Sequence, residues 1–174
     1  MTLQRILLGL VLGLMTTLVW AEAPSIELRD PDGKTRNVNE FIGHDKWTVV
    51  VTWAHDCYIC AQEIGEMAAF HTAHQERDAI VLGVSVDGYD QADLARTFIA
   101  AHKLPFVNLI AEPEQEVLMR FGAGRFVGTP TYYIYDPKGE IVGQNIGPLT
   151  RNDVEKFITS FNSKAHEPEQ PAGK

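Results

Sequence analysis

The chain has 174 residues, 45% of them hydrophobic, which is enough for one domain with a buried core. A formal charge of −8 and the lack of any basic run argue against nucleic acid as a partner. Beyond solubility, the acidic balance specifies little.

The first two dozen residues read as a targeting segment rather than as fold. Arg5 supplies a thin positive region, Ile6 to Val19 is an almost uncharged apolar stretch, and Val19-Trp20-Ala21 offers a small-residue cleavage site. Ala21-Glu22-Ala23 is a second site, weakened by Pro24. The apolar stretch is shorter than the roughly 20 residues that span a bilayer. Residues 1–21 are therefore expected to be a signal peptide, or an uncleaved N-terminal anchor, and the domain to be exported. In a bacterium that means the periplasm, either soluble after cleavage or tethered to the inner membrane. No cysteine lies near the cleavage site, so a lipoprotein anchor is not expected.

Ile26–Arg29 and Thr35–Val38 flank Asp30-Pro31-Asp32-Gly33 and predict an N-terminal hairpin. Trp47 to Trp53 predicts a buried strand, followed by a helix from the cysteines to about Gln75 with Cys60, Ile64, Met67, Ala68 and His71 on one face. A second buried strand covers Ala79–Val86. A helix over Gln91–His102 follows, with Leu94, Phe98 and Ile99 as its apolar side, then a short strand at Phe106–Ile110. Another helix is expected near Glu114–Phe121. Thr131–Tyr135 and Glu140–Gln144 flank Asp136-Pro137-Lys138-Gly139, a second hairpin signal. Thr150 caps a last helix with Val154, Phe157, Ile158 and Phe161 as its core face. The domain is expected to span 24–162 and the polar tail, 163–174, to be disordered. Crossover helices early and a hairpin late imply an α/β fold with a mixed sheet covered on both faces.

Cys57 and Cys60, the chain's two cysteines, sit where the buried strand gives way to the helix. The helix N-terminus favours a thiolate at the first sulfur, and the second lies one turn further in, placed to resolve a mixed disulfide. A structural staple is a poorer reading, since so short a loop constrains the unfolded chain little. A zinc site needs four ligands; no second cysteine pair follows, and His71 and His74 lie more than two turns away. With both cysteines in one motif and none left for bracing, the pair points to redox chemistry.

Trp53-Ala54-x-x-Cys57-x-x-Cys60, Gly128-Thr129-Pro130-Thr131 and Gly147-Pro148-Leu149-Thr150, in this element order, resemble the thioredoxin superfamily, and within it the exported TlpA/ResA-like disulfide reductases. The likeness covers about Pro24 to Asn162. Ser85-Val86-Asp87 and the segment Gln91–Ile110 match the inserted βα element of that branch. The resemblance implies a thioredoxin-like fold with an N-terminal β-hairpin and a cis peptide bond at Thr129–Pro130, where Thr129 pairs with an extended substrate. An ordinary turn before a strand is the alternative there. Trp53 and Tyr58 are assigned to the same substrate-binding surface. It also implies that Glu63, three residues after Cys60, is the acid/base partner of the buried cysteine. The alternative is a solvated surface glutamate like Glu66. Val51 stands where thioredoxin carries an aspartate, which strengthens the case for Glu63.

Three departures from the family pattern concern redox tuning. Asp56 precedes Cys57 where many relatives carry Trp, and a carboxylate aimed at the sulfur disfavours its thiolate. Ile59 replaces the common proline, and Tyr58 makes the intervening pair bulky and apolar. His55 either offsets Asp56 or points into solvent. The expected activity is reduction of disulfides in exported proteins by the Cys57/Cys60 dithiol, which a membrane electron donor of the DsbD type resets; the resemblance implies substrates such as apocytochrome c or metal-site assembly proteins. No cofactor or resident metal is expected. The alternatives are an oxidase or isomerase using the same sulfurs, and a Cu(I) carrier using Cys57, Cys60 and a histidine. A peroxidase requires a Pro-x3-Thr-x2-Cys context, and neither cysteine has one.

Overall fold

The computed structural model describes residues 23–122 and 124–165. The expected targeting segment and the tail beyond residue 165 lie outside the described residues. Eleven strands and helices follow in order: β1 (Glu27–Arg29), β2 (Thr35–Asn37), β3 (Trp47–Trp53), α1 (Tyr58–His74), β4 (Ala79–Ser85), α2 (Ala92–Ala101), β5 (Val107–Ile110), α3 (Gln115–Met119), β6 (Thr131–Tyr135), β7 (Ile141–Ile146) and α4 (Arg151–Ala165). The strands form one seven-stranded sheet in the order β2-β1-β5-β4-β3-β6-β7. β3, β4 and β5 run parallel, joined by helical crossovers. The two hairpins and the β1–β5 and β3–β6 contacts are antiparallel. No helix among the described residues is long and apolar enough to cross a membrane.

Both hairpin tips are built by the same device. Asp30 Oδ1 accepts the backbone N–H groups of Asp32 and Lys34, and Asp136 Oδ1 accepts those of Lys138 and Glu140. Each turn closes on a glycine at positive φ, Gly33 (87°) and Gly139 (88°), where an L side chain would be strained.

β3 is central and buried along all seven residues, so its alternation divides the core. Trp47, Val49, Val51 and Trp53 face α1, α2 and α4; Val50 faces Leu82, Val84, Leu109, Leu118, Phe121 and the N-terminal hairpin. α1 buries Cys60, Ile64, Met67, Phe70 and His71. Ala68, expected on that stripe, is only partly buried, and Phe70 completes it. In α2, Ala95 and Phe98 are the inward positions, whereas Leu94 faces out: the buried stripe runs through Ala92, Ala95, Phe98 and Ile99, and Leu94 lies beyond its edge. Thr150 caps α4 as expected: its hydroxyl donates to Asp153 at 2.6 Å, and its own N–H reaches the same oxygen at 3.2 Å. α4 continues to Ala165, so residues 163–165 are helical rather than part of a disordered tail.

Candidate active site

The chain leaves β3 at Trp53, makes a tight turn and enters α1. Cys57 N–H closes that turn on the Ala54 carbonyl at 3.2 Å. Cys57 is the N-cap of α1, with extended backbone (φ −75°, ψ 103°), and its Sγ accepts the Cys60 N–H at 3.1 Å. A sulfur thus takes the place of a capping oxygen. The orphan amide and the positive end of the helix dipole both favour negative charge there. Cys57 and Cys60 form a disulfide with Cα atoms 5.2 Å apart. Their exposures differ: Cys57 reaches the surface, while Cys60 is 1% exposed. The accessible sulfur is the one a partner can reach; the covered one can act only from within.

The Thr129–Pro130 bond is cis, as the resemblance implied. It brings the Thr129 carbonyl oxygen to 3.7 Å from Cys57 Sγ. The loop is pinned to β3 by a reciprocal pair: Thr131 N–H donates to Thr52 Oγ1, whose hydroxyl donates to the Thr131 carbonyl, each at 3.1 Å. Thr131 Oγ–H also donates to Gly128 O at 2.6 Å. Two segments far apart in sequence are thereby held face to face, with Cys57 and Thr129 separated by 72 positions. Tyr58 is 74% exposed, Val127 is 70% exposed and Ile59 also faces solvent, so apolar surface flanks both the cysteines and the proline loop.

Trp53 is not part of that surface. It was expected to contact substrate, yet its exposure is zero; it stacks on Phe98 at 4.4 Å, and its indole N–H donates to Asn108 Oδ1 at 3.1 Å. Asn108 comes this close because Gly83 on the neighbouring strand has no side chain: a Cβ there would lie 2.0 Å from Asn108 Oδ1. A fully covered indole cannot touch a docking protein, and Trp53 serves as the floor beneath the turn.

Glu63 is half-buried on α1, one turn beyond Cys60. Its charge bears on the buried Tyr132 phenol, which is pushed far above the usual tyrosine range, first by burial and then by Glu63 and Glu66. Glu66 itself accepts the Arg151 N–H at the start of α4, at 3.0 Å.

His55 neither points free into solvent nor simply faces Asp56. Its ring Nδ1 lies 2.7 Å from Asp87 Oδ1, and its backbone N–H reaches both Asp87 oxygens at 3.1 Å. Asp87 is the residue that sequence reasoning missed as part of the site, although it appears in Ser85-Val86-Asp87. The usable signal was position: a polar run at the C-terminal end of a strand parallel to β3 faces the same edge as the cysteines. His55, Asp56 and Asp87 could each offer a metal one ligand atom, and those atoms lie within 4.8 Å of one another. The Asp87 oxygens are already engaged by His55 and Ser85, so a cation would have to displace existing donors.

The comparisons agree with the geometry. The AhpC/TSA family model matches residues 19–144. A thiol:disulfide interchange protein DsbE homolog of Paracoccus denitrificans is 29% identical over 80% of this chain and 73% of its own length. Alkyl hydroperoxide reductase C of Mycolicibacterium smegmatis is 30% identical over 79% and 73%. A solved thioredoxin-family thiol:disulfide interchange protein from Chlorobium tepidum superposes with a TM-score of 0.67 at 22% identity, covering 80% of this chain and 94% of that one, a likeness of fold. The peroxidase relative does not transfer its chemistry, because Val50 and Ala54 stand where the Pro-x3-Thr-x2-Cys context needs proline and threonine. Sheet order, the cis-proline loop and the Cys57/Cys60 pair converge with these matches: the chain belongs to the AhpC/TSA family, as one of its thioredoxin-like thiol-disulfide oxidoreductases.

Proposed function

We propose that this oxidoreductase works as an exported reductase, passing electrons from its Cys57/Cys60 dithiol to disulfides of other exported proteins. The observation that carries the reading is the asymmetry of the pair: an accessible, helix-capping Cys57 above a covered Cys60. In the reduced protein the Cys57 thiolate attacks one sulfur of a substrate disulfide. A mixed disulfide forms and the other substrate sulfur leaves as a thiolate. Cys60 then gives its proton to Glu63, directly or through a water, and attacks Cys57 Sγ. That step releases the second substrate sulfur and leaves the Cys57–Cys60 disulfide. One substrate disulfide becomes two thiols while one dithiol is oxidised.

Thr129 offers its backbone to an extended substrate segment, and Tyr58 supplies apolar contact beside the sulfurs. Asp56, His55 and Ile59 set the potential of the pair. A membrane electron donor of the DsbD type resets the dithiol. Apocytochrome c and metal-site assembly proteins are the substrate classes implied by the ResA/TlpA resemblance. The site of action is the periplasm, with residues 1–21 as signal or anchor.

The reduction potential of the pair, measured against glutathione, tests direction. A value well below glutathione's supports the reductase, and one well above it supports an oxidase or isomerase, since 30 mV corresponds to about 1.4 kcal/mol. Capture of a mixed disulfide on a Cys60→Ser variant would name the substrate.

A further inference from the structure

The end of β4 reaches into the active-site turn. In the parallel register Ser85 lies level with Trp53, the last residue of β3, so Asp87, two residues on, stands opposite the turn that precedes Cys57. The Asp87 side chain is 4% exposed. A carboxylate so covered is unfavourable unless donors satisfy it, and here they converge from the turn after β3 and from the end of β4. The His55 backbone N–H donates to both oxygens at 3.1 Å, the His55 ring nitrogen Nδ1 meets Oδ1 at 2.7 Å, and the Ser85 hydroxyl donates to Oδ2 at 2.5 Å. Asp87 N–H donates back to Ser85 Oγ at 3.2 Å. A carboxylate only accepts, so Nδ1 must carry a proton, and Nε2 is the ring's one remaining position for proton exchange.

We propose that Asp87 is a positioning residue for the exchange reaction: it fixes the turn that presents Cys57 and locks the His55 imidazole beside it in the Nδ1–H form. The turn from Ala54 to Cys57 is then held at both ends, by Asp87 on the His55 amide and by the Ala54 carbonyl on the Cys57 amide. Asp56, exposed and clustered with these two side chains, places a negative charge one residue from the reactive sulfur. The oriented His55 ring answers it, because a proton at Nε2 offsets the Asp56 charge and favours the Cys57 thiolate. Ser85 acts behind Asp87, holding Oδ2 so that Oδ1 stays on the ring. The inference rests on the reading of Cys57 as the attacking sulfur.

The test is Asp87→Asn in the reduced full-length chain, with oxidised glutathione as the probe disulfide. An amide N–H donates where the carboxylate accepted, so the His55 tautomer should reverse and its two ring nitrogens should exchange their nitrogen-15 shifts. The rate constant for attack on oxidised glutathione should fall at least about fivefold. His55→Ala keeps the backbone anchor and removes the ring; it should slow the attack about threefold and move the Cys57 thiol titration to higher pH. It also stands as the deciding variant should Asp87→Asn fail to fold. A wild-type rate in the variant that folds, or an unmoved or lowered thiol titration in His55→Ala, would overturn the proposal. A wild-type chain inert toward every disulfide would instead overturn the exchange reading, while tautomer and titration still report on Asp87.

Discussion

The two ends of α1 are built on opposite principles. At its C-terminal end the two imidazoles are tied to other parts of the chain. His71 Nδ1 accepts the Val81 N–H at 3.0 Å, and the two ring nitrogens of His74 meet Asp78 at 2.8 Å and Glu155 of α4 at 3.1 Å. Lys46 donates to the Gln75 carbonyl. These donors and imidazoles also suit the negative end of the dipole. At the N-terminal end the cap is a reactive sulfur, and the first two side chains after it, Tyr58 and Ile59, project into solvent. The difference shows how one helix carries chemistry: it is anchored at one end, so the other can present a capping sulfur, a dipole and apolar surface to a partner.

Removing the reactive sulfur should give the largest effect on the chemical side. Cys57→Ser is expected to lower exchange with insulin by more than about a thousandfold, as loss of a nucleophile does, while the far-ultraviolet spectrum stays native. On the structural side Trp53→Ala should be the most damaging change, costing about 3–5 kcal/mol in urea denaturation because it empties a packed site and orphans Asn108. The anchored end should also respond to acid. Burial, the largest cause, holds the His71 imidazole below its ordinary pKa. Its stabilising contribution is therefore present above the unfolded value of about 6.5 and is lost as pH falls through that value toward the lower folded one. The denaturation midpoint should drop over that range in the wild type and drop less in His71→Gln. Glu63→Gln should slow release of the mixed disulfide about tenfold or more, while first attack by Cys57 keeps its rate. The smallest effect on stability is expected for Tyr58→Ala, within about 0.5 kcal/mol, with slower exchange on a protein substrate and an unchanged rate on oxidised glutathione.

Much of the fold was legible because its signals are local. The buried run Trp47–Trp53, the two Asp-Pro-x-Gly turns and the capping threonine at 150 each encode their own geometry within a few residues. The sulfur pair was legible for the same reason, and Pro130 was legible through the family pattern. What sequence could not supply depended on neighbours across the sheet. Trp53 is hydrophobic and next to the motif, yet whether it faces the partner or the core is decided by Phe98 and by Asn108 on β5, which the missing side chain of Gly83 admits. Asp87 lies 30 residues from Cys57, and only the parallel register of β3 and β4 brings it to His55. The outward turn of Leu94 follows from which side of α2 meets the core: the small residues Ala92 and Ala95 lie on the buried stripe, and a reading by bulky apolar residues passes over them.

The central claim is that the accessible cap sulfur attacks and the covered one resolves. Brief alkylation of the reduced protein with limiting iodoacetamide, followed by peptide mass mapping, tests it directly. The account predicts the adduct on Cys57, with Cys60 still free as a thiol. An adduct found first on Cys60, or equally on both, would contradict it.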